Sequence, residues 1–417
     1  MSNKQTAIKV IKRLNRNGYQ ALLAGGCVRD MLLGRAASDY DVATDAQPKD
    51  VMKIFQRTLK IGASFGVVIV LIESGVNSAK DIVGAGQVEV ATFRSETGYA
   101  DGRHPSTVKF VSAAEDASRR DFTINGMFYD PLKKEVIDYV NGQTDLRKGL
   151  VRTIGKPEER FGEDYLRMLR AVRFSTQLGF AIEPRTFSAI RNNAKNIAKI
   201  SGERVAMELE AILVHPNRSA GVSMLTESGL AEVIFPGLSS KQMKSAISAL
   251  GRLRKKVDFA LALACLFAGC PTEVALQKCK TLKLSRSQNR HIKFLLANRG
   301  KLLNDKMSLA ELKRIVAEPY FWDLYELQRA IQKARRKSVT ALVSLRKRVK
   351  ALRGVELRPK PLLDGHALIQ LGAVQGPALG QLAEEMYIAQ LEGQLKTVQE
   401  AEQWSQKWLQ KHRKIEK

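Results

Sequence analysis

The sequence predicts an α+β protein in which a head with a mixed β-sheet and helices is followed by an all-α remainder. Over residues 1–150, β-branched and alternating apolar runs are interleaved with helical segments. Beyond Pro157 the strand signals stop, and apolar residues recur at helical spacing. The length of 417 residues is enough for two to four packed units, and 44% hydrophobic residues indicate a folded chain.

The elements of the head follow from local periodicity. We predict helices over residues 7–17, 28–33 and 49–58, and strands over residues 21–23, 40–42, 67–72, 88–93 and 107–111. Gly98, Gly102 and Pro105 indicate a loop before the last of these strands.

In the remainder, helices are predicted over residues 163–178, 185–200, 203–213, 241–253, 257–267, 309–317 and 382–391. Pro184 and Ser201 are placed to start two of these helices, and Gly179 and Gly251 to end two.

The charge is strongly basic and unevenly distributed. The formal net charge is +26. Residues 1–150 carry 21 Lys and Arg against 17 Asp and Glu, which leaves +22 for the rest of the chain. Such an excess indicates a polyanionic partner, although a basic solvated surface is the alternative. The segment 327–355 holds ten basic and no acidic residues, and its candidate RNA-binding residues are Arg335, Arg336, Lys337, Arg346, Lys347 and Arg348.

Other features of the composition argue against several classes of protein. The four cysteines have neither metal-site spacing nor the density of a disulfide framework, so we expect a reducing, cytoplasmic compartment. No run of 18 apolar residues is present, so no membrane partner is expected. The five histidines form no evident metal or acid–base cluster, and we expect them to be structural or surface residues.

One segment near the N-terminus carries candidate phosphate-binding features. Gly25 and Gly26 lie between a predicted strand and a predicted helix, where the backbone can approach phosphate oxygens without a Cβ in the way. Arg29, in the first helical turn, adds a planar cation suited to a triphosphate. A simple turn would also account for the two glycines.

Three carboxylates are candidate metal ligands. Asp39 and Asp41 are two residues apart, and on a strand this spacing places both side chains on one face. Hard oxygen ligands side by side suit Mg²⁺ that carries a nucleoside triphosphate. Glu89, inside an otherwise apolar strand, needs a partner, which is either the metal or an arginine.

The motifs resemble those of the class II tRNA nucleotidyltransferases and bacterial poly(A) polymerases. The first signature is similar to the pattern Gly25, Gly26, Val28, Arg29, Asp30, Leu33, Gly34, Asp39 and Asp41. Residues 119–126 resemble the second motif, residues 163–174 resemble the base-reading helix, and residues 201–209 and 363–393 resemble later elements.

The resemblance implies a nucleotidyltransferase head (residues 1–150), a base-reading neck (151–215), a helical body (216–345) and a tRNA-binding tail (346–417). It further implies two Mg²⁺ ions held by Asp39, Asp41 and Glu89, CTP and ATP as substrates, and the 3′ end of tRNA as the acceptor, with no DNA expected. Its nucleotide-binding residues are Gly25, Gly26, Arg29, Arg120, Asp121, Asp164, Arg167, Arg170 and Arg173.

The base-reading residues also have a chemical rationale. Cytosine and adenine present an exocyclic amine donor beside a ring-nitrogen acceptor, whereas uracil and guanine present the reverse arrangement. A carboxylate only accepts and a guanidinium only donates. If Asp164 and Arg167 are neighbours on one helix, they fit C and A; the alternative is an ordinary surface ion pair.

The predicted function is template-independent addition of C and A to the 3′ end of tRNA, with release of pyrophosphate. A bacterial poly(A) polymerase, an enzyme that adds only A, and a non-catalytic RNA-binding protein are the alternatives. Residues 61–69 look more like the tRNA-repair branch than the poly(A) polymerase branch. Residues 94–105 resemble the family's flexible loop, which relatives restricted to adding C are thought to lack.

Overall fold

A computed structural model of the chain describes residues 2–60, 66–72, 86–99 and 105–412. It divides into two compact units, the first comprising residues 1–239 with 281–283 and the second residues 240–280 with 284–417. The predicted segments 61–69 and 94–105 fall partly outside the described residues. Within the described residues, no helix is both long and apolar enough to cross a membrane.

The first unit begins with a mixed α/β region. Its helices are α1 (Asn3–Arg16), α2 (Gly26–Leu32), α3 (Pro48–Ile54), α4 (Ala113–Arg119) and α5 (Gly142–Lys148). Its strands are β1 (Ala21–Ala24), β2 (Asp41–Thr44), β3 (Thr58–Leu59), β4 (Val67–Ile72), β5 (Gly86–Thr92), β6 (Arg94–Tyr99), β7 (Pro105–Phe110), β8 (Phe128–Asp130), β9 (Glu135–Ile137) and β10 (Leu150–Val151).

Seven of these strands form one sheet in the order β3-β4-β5-β2-β1-β8-β9. The pair β2 and β5 is parallel and the other neighbours are antiparallel. All four residues of β1 are buried, which suits its place near the centre of the sheet. Phe93 and Phe128 meet edge to face below it, with ring centroids 5.7 Å apart. This packed sheet fixes the strand ends that carry polar side chains.

The first unit continues as helices around a short two-stranded pair. These elements are α6 (Pro157–Glu163), α7 (Leu166–Leu178), β11 (Ala181–Ile182), α8 (Pro184–Asn193), α9 (Gly202–Leu213), α10 (Arg218–Glu227) and α11 (Leu230–Ile234). A 3-10 segment, Ala194–Lys199, follows α8. Gly179 ends α7 with φ 74°, a conformation in which glycine avoids the strain of a Cβ.

The second unit is helical throughout its described residues. Its helices are α12 (Ser240–Leu250), α13 (Phe259–Leu266), α14 (Thr272–Thr281), α15 (Arg286–Ala297), α16 (Leu309–Val316), α17 (Phe321–Ala334), α18 (Thr340–Ala351), α19 (Gly365–Gln370), α20 (Pro377–Leu391) and α21 (Val398–His412). The last three share an apolar core that includes Leu368, Leu382, Met386 and Trp408.

The α+β fold class is confirmed, and β4 has the predicted bounds. Several details differ. Strand β6 lies where a loop was predicted, because its backbone pairs with β7 and not with the main sheet. Strands β8 and β9 were not predicted, since each has only three residues and periodicity is not visible over that length. Strand β11 was missed for the same reason and pairs with β10.

Candidate active site

A polar pocket of about 490 Å³ lies in the first unit, over the ends of β1, β2 and β5. Ten of the twelve predicted metal- and nucleotide-binding residues line it: Gly25, Gly26, Arg29, Asp41, Glu89, Arg120, Asp121, Asp164, Arg167 and Arg170. Asp39 and Arg173 are not part of the lining. Residues more than a hundred positions apart therefore converge on one cavity.

The turn from β1 into α2 brings backbone close to an arginine. Gly25 has φ 72°, and a Cβ at this position would lie 3.2 Å from Arg120 Nη1. Both the conformation and the close approach favour glycine. The requirement for Gly25 is therefore local and steric, whatever occupies the pocket.

Arg29 lies in the wall of the pocket and is held on two sides. Its Nη1 donates to Asn125 Oδ1 at 2.6 Å, and its Nε donates to Asp30 Oδ1 at 2.9 Å. Its guanidinium also lies over the ring of Phe174, 5.2 Å from the centroid. These contacts fix the cation in one orientation before any ligand binds.

Asp41 and Glu89 are adjacent because of the strand register. In the parallel pair β2–β5, Val42 lies opposite Val90, so the residues just before them, Asp41 and Glu89, are at matching positions on one face. The pKa of Asp41 is raised from 3.8 to about 6, mainly by burial and then by the negative charges of Glu89 and Asp39, against the opposing effect of Arg120. This mutual repulsion between carboxylate oxygens is the environment that a bound divalent cation relieves.

Asp39 does not have the predicted position. Strand β2 begins at Asp41, and Asp39 precedes it in a segment that forms neither helix nor strand. The argument from strand alternation therefore fails for this pair. Ser38 Oγ donates to Asp39 Oδ2 at 2.9 Å, and Asp39 is near enough to Asp41 to affect its pKa. A metal ligand set that includes Asp39 stays a prediction.

Two arginines share one buried carboxylate at the side of the pocket. Asp116 is 1% exposed. Its Oδ1 accepts from Arg119 Nη2 at 2.6 Å, and its Oδ2 accepts from Arg120 Nη2 at 2.9 Å. It also accepts the backbone N–H of Arg94, the first residue of β6, at 3.2 Å. Burial alone would raise the pKa of Asp116, but the charges of Arg120 and Arg119 hold it below its usual value.

We expect Asp116→Asn to lower the free energy of unfolding at neutral pH by on the order of 3 kcal/mol, because two arginines lose a buried counter-charge. Since the folded-state pKa is depressed, Asp116 stabilises the protein above its unfolded-state pKa, and this contribution is lost as the pH falls below about 4. Urea titrations at neutral pH and at about pH 3 should therefore show the largest gap between the proteins at neutral pH.

The neighbouring exposed Glu115→Gln is the matched control, because glutamine keeps the capping box with Ser112. A gap of equal size at both pH values would contradict the role of the Asp116 charge.

Asp121 is held between two elements. Its Oδ2 accepts from Arg170 Nε at 2.8 Å and from Nη2 at 2.6 Å, while its Oδ1 accepts from Asn125 Nδ2 at 3.2 Å. Burial alone would raise the pKa of Asp121, but Arg170 keeps it lowered. The Asp121 side chain thus joins α7 to the segment after α4. Arg173 points elsewhere, and its Nε donates to Glu208 Oε2 at 2.6 Å.

The predicted base-reading pair does not lie on one helix. Helix α6 ends at Glu163, and Asp164 is extended, with φ −149° and ψ 105°, before α7 begins at Leu166. The continuous helix predicted over residues 163–178 is therefore wrong. The break is stabilised by Asp164 itself, because its Oδ1 accepts the backbone N–H of Leu166 at 3.0 Å.

Asp164 and Arg167 nevertheless both line the pocket, each with a different partner. Arg204 Nη2 donates to Asp164 Oδ2 at 2.7 Å, and Arg167 Nη1 donates to Glu163 Oε2 at 2.5 Å. The two side chains do not form the surface ion pair considered as the alternative. Because Asp164 and Arg167 are held by different partners, both side chains can contact a ligand in the pocket at the same time.

Asn125 and Arg204 are among the pocket residues that sequence reasoning left out of the candidate set. Asn125 accepts from Arg29 and donates to Asp121, so it connects the two sides of the pocket. Arg204 orients Asp164 from helix α9. Both stand within the quoted motifs, but their roles depend on partners between 4 and 96 positions away in sequence.

The predicted RNA-binding residues all lie in the second unit. Arg335, Arg336 and Lys337 are exposed after α17, and Arg346 and Lys347 are exposed on α18. Arg348 differs, because it is partly buried and its Nη2 donates to the carbonyl of Met307 at 2.6 Å.

Comparisons with known proteins agree with this geometry. The family model described as "Poly A polymerase head domain" matches residues 21–152, and the model described as "Probable RNA and SrmB- binding site of polymerase A" matches residues 179–242. The CCA-adding enzyme of Geobacillus stearothermophilus is 42% identical over 249 residues, but the match covers 60% of this chain and 58% of that enzyme.

Two further comparisons extend over the whole chain. The crystal structure of the Bacillus stearothermophilus CCA-adding enzyme in complex with CTP matches with a TM-score of 0.80 at 29% identity and covers 100% of both chains. The fold also matches that of the Thermotoga maritima CCA-adding enzyme complexed with tRNA, with a TM-score of 0.68 at 19% identity, over 97% of this chain and 95% of that one.

The CCA-adding enzyme of Lactobacillus johnsonii is 33% identical over 403 residues, which cover 93% of each chain. The sequence motifs, the head domain and the pocket all agree with this similarity. The chain therefore belongs to the family of the CCA-adding tRNA nucleotidyltransferases, which shares its head domain with the poly(A) polymerases.

Proposed function

We propose that this protein adds C and A nucleotides to the 3′ end of tRNA without a nucleic-acid template, using CTP and ATP and releasing pyrophosphate. The observation that carries the proposal is the convergence in one pocket of the carboxylates Asp41 and Glu89 with the separately held pair Asp164 and Arg167. The first pair supplies a place for metal-bound phosphates, and the second supplies an acceptor and a donor for a base edge.

Asp41 and Glu89, with Asp39, would hold two Mg²⁺ ions, and the mutual repulsion of these carboxylates fits such ligands. When bound, the ions lower the pKa of the attacking 3′-hydroxyl and neutralise charge on the triphosphate. Among the described residues, one group of three potential metal ligands has its ligand atoms within 4.8 Å of one another, and this group lies in the second unit. The oxygens of Asp39, Asp41 and Glu89 are therefore not all this close together. We expect these three side chains to move closer together when they share a cation.

The chain's own cations would position the nucleotide. Arg29 and Arg120 lie at the Gly25 turn and are oriented by Asp30, Asn125 and Asp116, so their free N–H groups can donate to phosphate oxygens without reorganisation. Preorganised donors of this kind stabilise charge that develops as pyrophosphate leaves.

Asp164 and Arg167 would select the base. The Asp164 carboxylate accepts from the exocyclic amine of cytosine or adenine, and the Arg167 guanidinium donates to the adjacent ring nitrogen. Uracil and guanine present the opposite pattern, so that the Asp164 carboxylate would face a carbonyl acceptor and the Arg167 guanidinium would face a ring N–H donor. Because Arg204 and Glu163 hold these two side chains, the protein provides a fixed edge where a template base would otherwise stand.

The proposal is tested with purified protein and two acceptors, a tRNA that lacks its 3′ end and an unrelated RNA, each with CTP and ATP. Three added nucleotides on the tRNA and none on the other RNA would support it. Long A tails on both acceptors would instead identify a poly(A) polymerase, a function that the net charge of +26 also suits. Addition of A alone, and only to tRNA that already ends in two C residues, would identify an A-adding enzyme. The cytoplasmic location stays a prediction.

We expect the double variant Arg346→Gln, Lys347→Gln to weaken tRNA binding and to reduce the slope of affinity against salt by about 2. The physical reason is that each basic side chain that neutralises a phosphate releases about one counterion, and glutamine releases none. Arg348 is left unchanged, because its Nη2 donates to the backbone carbonyl of Met307 and its replacement could alter the fold. Filter binding over a range of salt concentrations provides the measurement.

Lys133→Gln, Lys148→Gln is the matched control, because it removes the same charge from exposed positions in the first unit. If both variants bind with the slope of the unchanged protein, the basic run is a solvated face and does not bind RNA.

A further inference from the structure

A second group of potential metal ligands lies in the helical second unit. Asp258 is the N-cap of α13, His291 lies within α15, and Asp323 is in the first turn of α17. One ligand atom from each residue lies within 4.8 Å of the other two, and no other trio of His, Cys, Asp or Glu among the described residues does so. Three helices that are distant in sequence thus contribute one potential ligand each.

His291 is buried between the two carboxylates. It is 6% exposed, and its ring stacks on Tyr320 with centroids 4.0 Å apart. Nδ1 lies 3.5 Å from Asp258 Oδ2, and Nε2 lies 3.3 Å from Asp323 Oδ2. Nε2 is fully buried and makes no hydrogen bond of acceptable geometry. Burying a ring nitrogen in this state costs free energy unless something else binds it.

Both carboxylates are already oriented toward the ring. Asp258 Oδ1 accepts the backbone N–H of Leu261 at 2.7 Å, and Asp323 Oδ1 accepts from Arg254 Nη2 at 2.5 Å. In each residue the first oxygen is occupied by a structural partner, and the second oxygen, Oδ2, is the one that faces His291. The imidazole plane is fixed by Tyr320 in the same way.

A neutral imidazole cannot satisfy this arrangement by itself. It has one N–H and one lone pair, so it can donate to one carboxylate only, and the other carboxylate then faces the lone pair. A cation between the lone pair and that carboxylate removes the repulsion. Two ligand atoms on one tetrahedral zinc ion, each at about 2.0–2.2 Å from it, are separated by about 3.3–3.5 Å. The distance between Nε2 and Asp323 Oδ2 is 3.3 Å.

We propose that His291 Nε2 and Asp323 Oδ2 bind a divalent transition-metal ion, for which Zn²⁺ is the best match to an imidazole with a carboxylate, and that Asp258 Oδ2 accepts the Nδ1–H and so fixes the tautomer that the ion needs. Asp258, whose side chain is 55% exposed, lies on the path of entry from solvent. The ion would connect α15 with α17, and Asp258 would join α13 to them through the His291 ring, so that binding stabilises the second unit. This site is independent of the nucleotide pocket, so the proposal stands or falls separately from the proposed function.

The test is a Zn²⁺ titration of the full-length protein after treatment with a chelator, in buffer with excess Mg²⁺ so that the carboxylates of the pocket do not compete. Calorimetry should find one zinc ion per chain, and Tm should rise with Zn²⁺ concentration until the site is saturated. The variants Asp258→Asn and His291→Gln should each bind Zn²⁺ at least about tenfold more weakly.

Asp258→Asn is the more informative variant, because asparagine keeps the N-cap of α13 and the fold should persist. His366→Gln is the matched control, since His366 is exposed on α19 and outside the trio, and it should bind zinc as the unchanged protein does. If the unchanged protein shows no saturable binding of Zn²⁺, the proposal is wrong. Equal affinity in all four proteins would place the zinc elsewhere and also overturn it.

Discussion

Replacing Asp41 with Asn should lower the rate of nucleotide addition by about a thousandfold or more, because the change removes a carboxylate from the site proposed to bind metal and triphosphate. Binding of tRNA should change little, since the substituted side chain is in the pocket of the first unit and the basic run is in the second. Single-turnover measurements with saturating RNA and CTP separate the chemical step from binding.

The same substitution should not destabilise the protein. The pKa of Asp41 is raised from 3.8 to about 6, so ionisation of this carboxyl opposes folding; the penalty grows as the pH rises from about 4 to about 6 and is fully present at neutral pH. Asparagine removes the charge and its repulsion by Glu89. We therefore expect the Tm of Asp41→Asn, measured without metal at neutral pH, to equal or exceed that of the unchanged protein.

Asp45→Asn is the matched control, because Asp45 directly follows the same strand, is exposed, and does not line the pocket. It should retain nearly full activity. Activity of Asp41→Asn close to that of Asp45→Asn would rule out the proposed metal site. A large drop in the Tm of Asp41→Asn would instead show that the reduced activity reflects unfolding.

Replacing Arg167 with Ala should reduce the preference for CTP and ATP over UTP and GTP by about 5- to 150-fold, because a base-edge contact discriminates by about 1–3 kcal/mol. The structure strengthens this expectation, since Glu163 and the carbonyl of Arg160 hold the Arg167 guanidinium in the pocket wall. The ratio of kcat/KM values between correct and incorrect nucleotides is the measurement. This ratio is unaffected by any fraction of unfolded protein.

Arg191→Ala is the control, since Arg191 is exposed on α8 and lies outside the pocket. An unchanged ratio in Arg167→Ala would refute the base-reading role. A second variant, Arg204→Ala, removes the partner that orients Asp164, and it should also lower the ratio although Arg204 need not contact the base. Loss of discrimination in Arg167→Ala but not in Arg204→Ala would show that Asp164 does not depend on its partner.

Much of the pocket was predictable from local sequence because short motifs carry their own stereochemistry. Gly25 takes a positive φ between a strand and a helix, where the sequence placed a phosphate-binding turn. The division into a mixed head and a helical remainder followed from the period of apolar residues, which depends on neighbours only. Strand β4 was predicted with its observed bounds for the same reason.

Two errors had a common cause. The sequence alone could not distinguish a continuous helix over residues 163–178 from two helices, because Glu163, Asp164 and Tyr165 are all compatible with a helix. The break depends on Arg204, which holds Asp164 from 40 positions away, and on the turn that Asp164 makes with Leu166. Asp39 likewise appeared to share a strand with Asp41, but strand β2 starts where its pairing with Ala24 starts.

The sequence by itself determined the class of fold, the glycine turn between β1 and α2, and ten of the side chains and glycines that line the pocket, since these depend on residue type and on spacing within one segment. The tertiary structure alone decided which side chains hold one another. The parallel register of β2 and β5 brings Asp41 beside Glu89, and the packing of α13, α15 and α17 brings His291 between two aspartates. Such contacts join residues far apart in the chain, and their free energy depends on burial and distance, which no local pattern encodes.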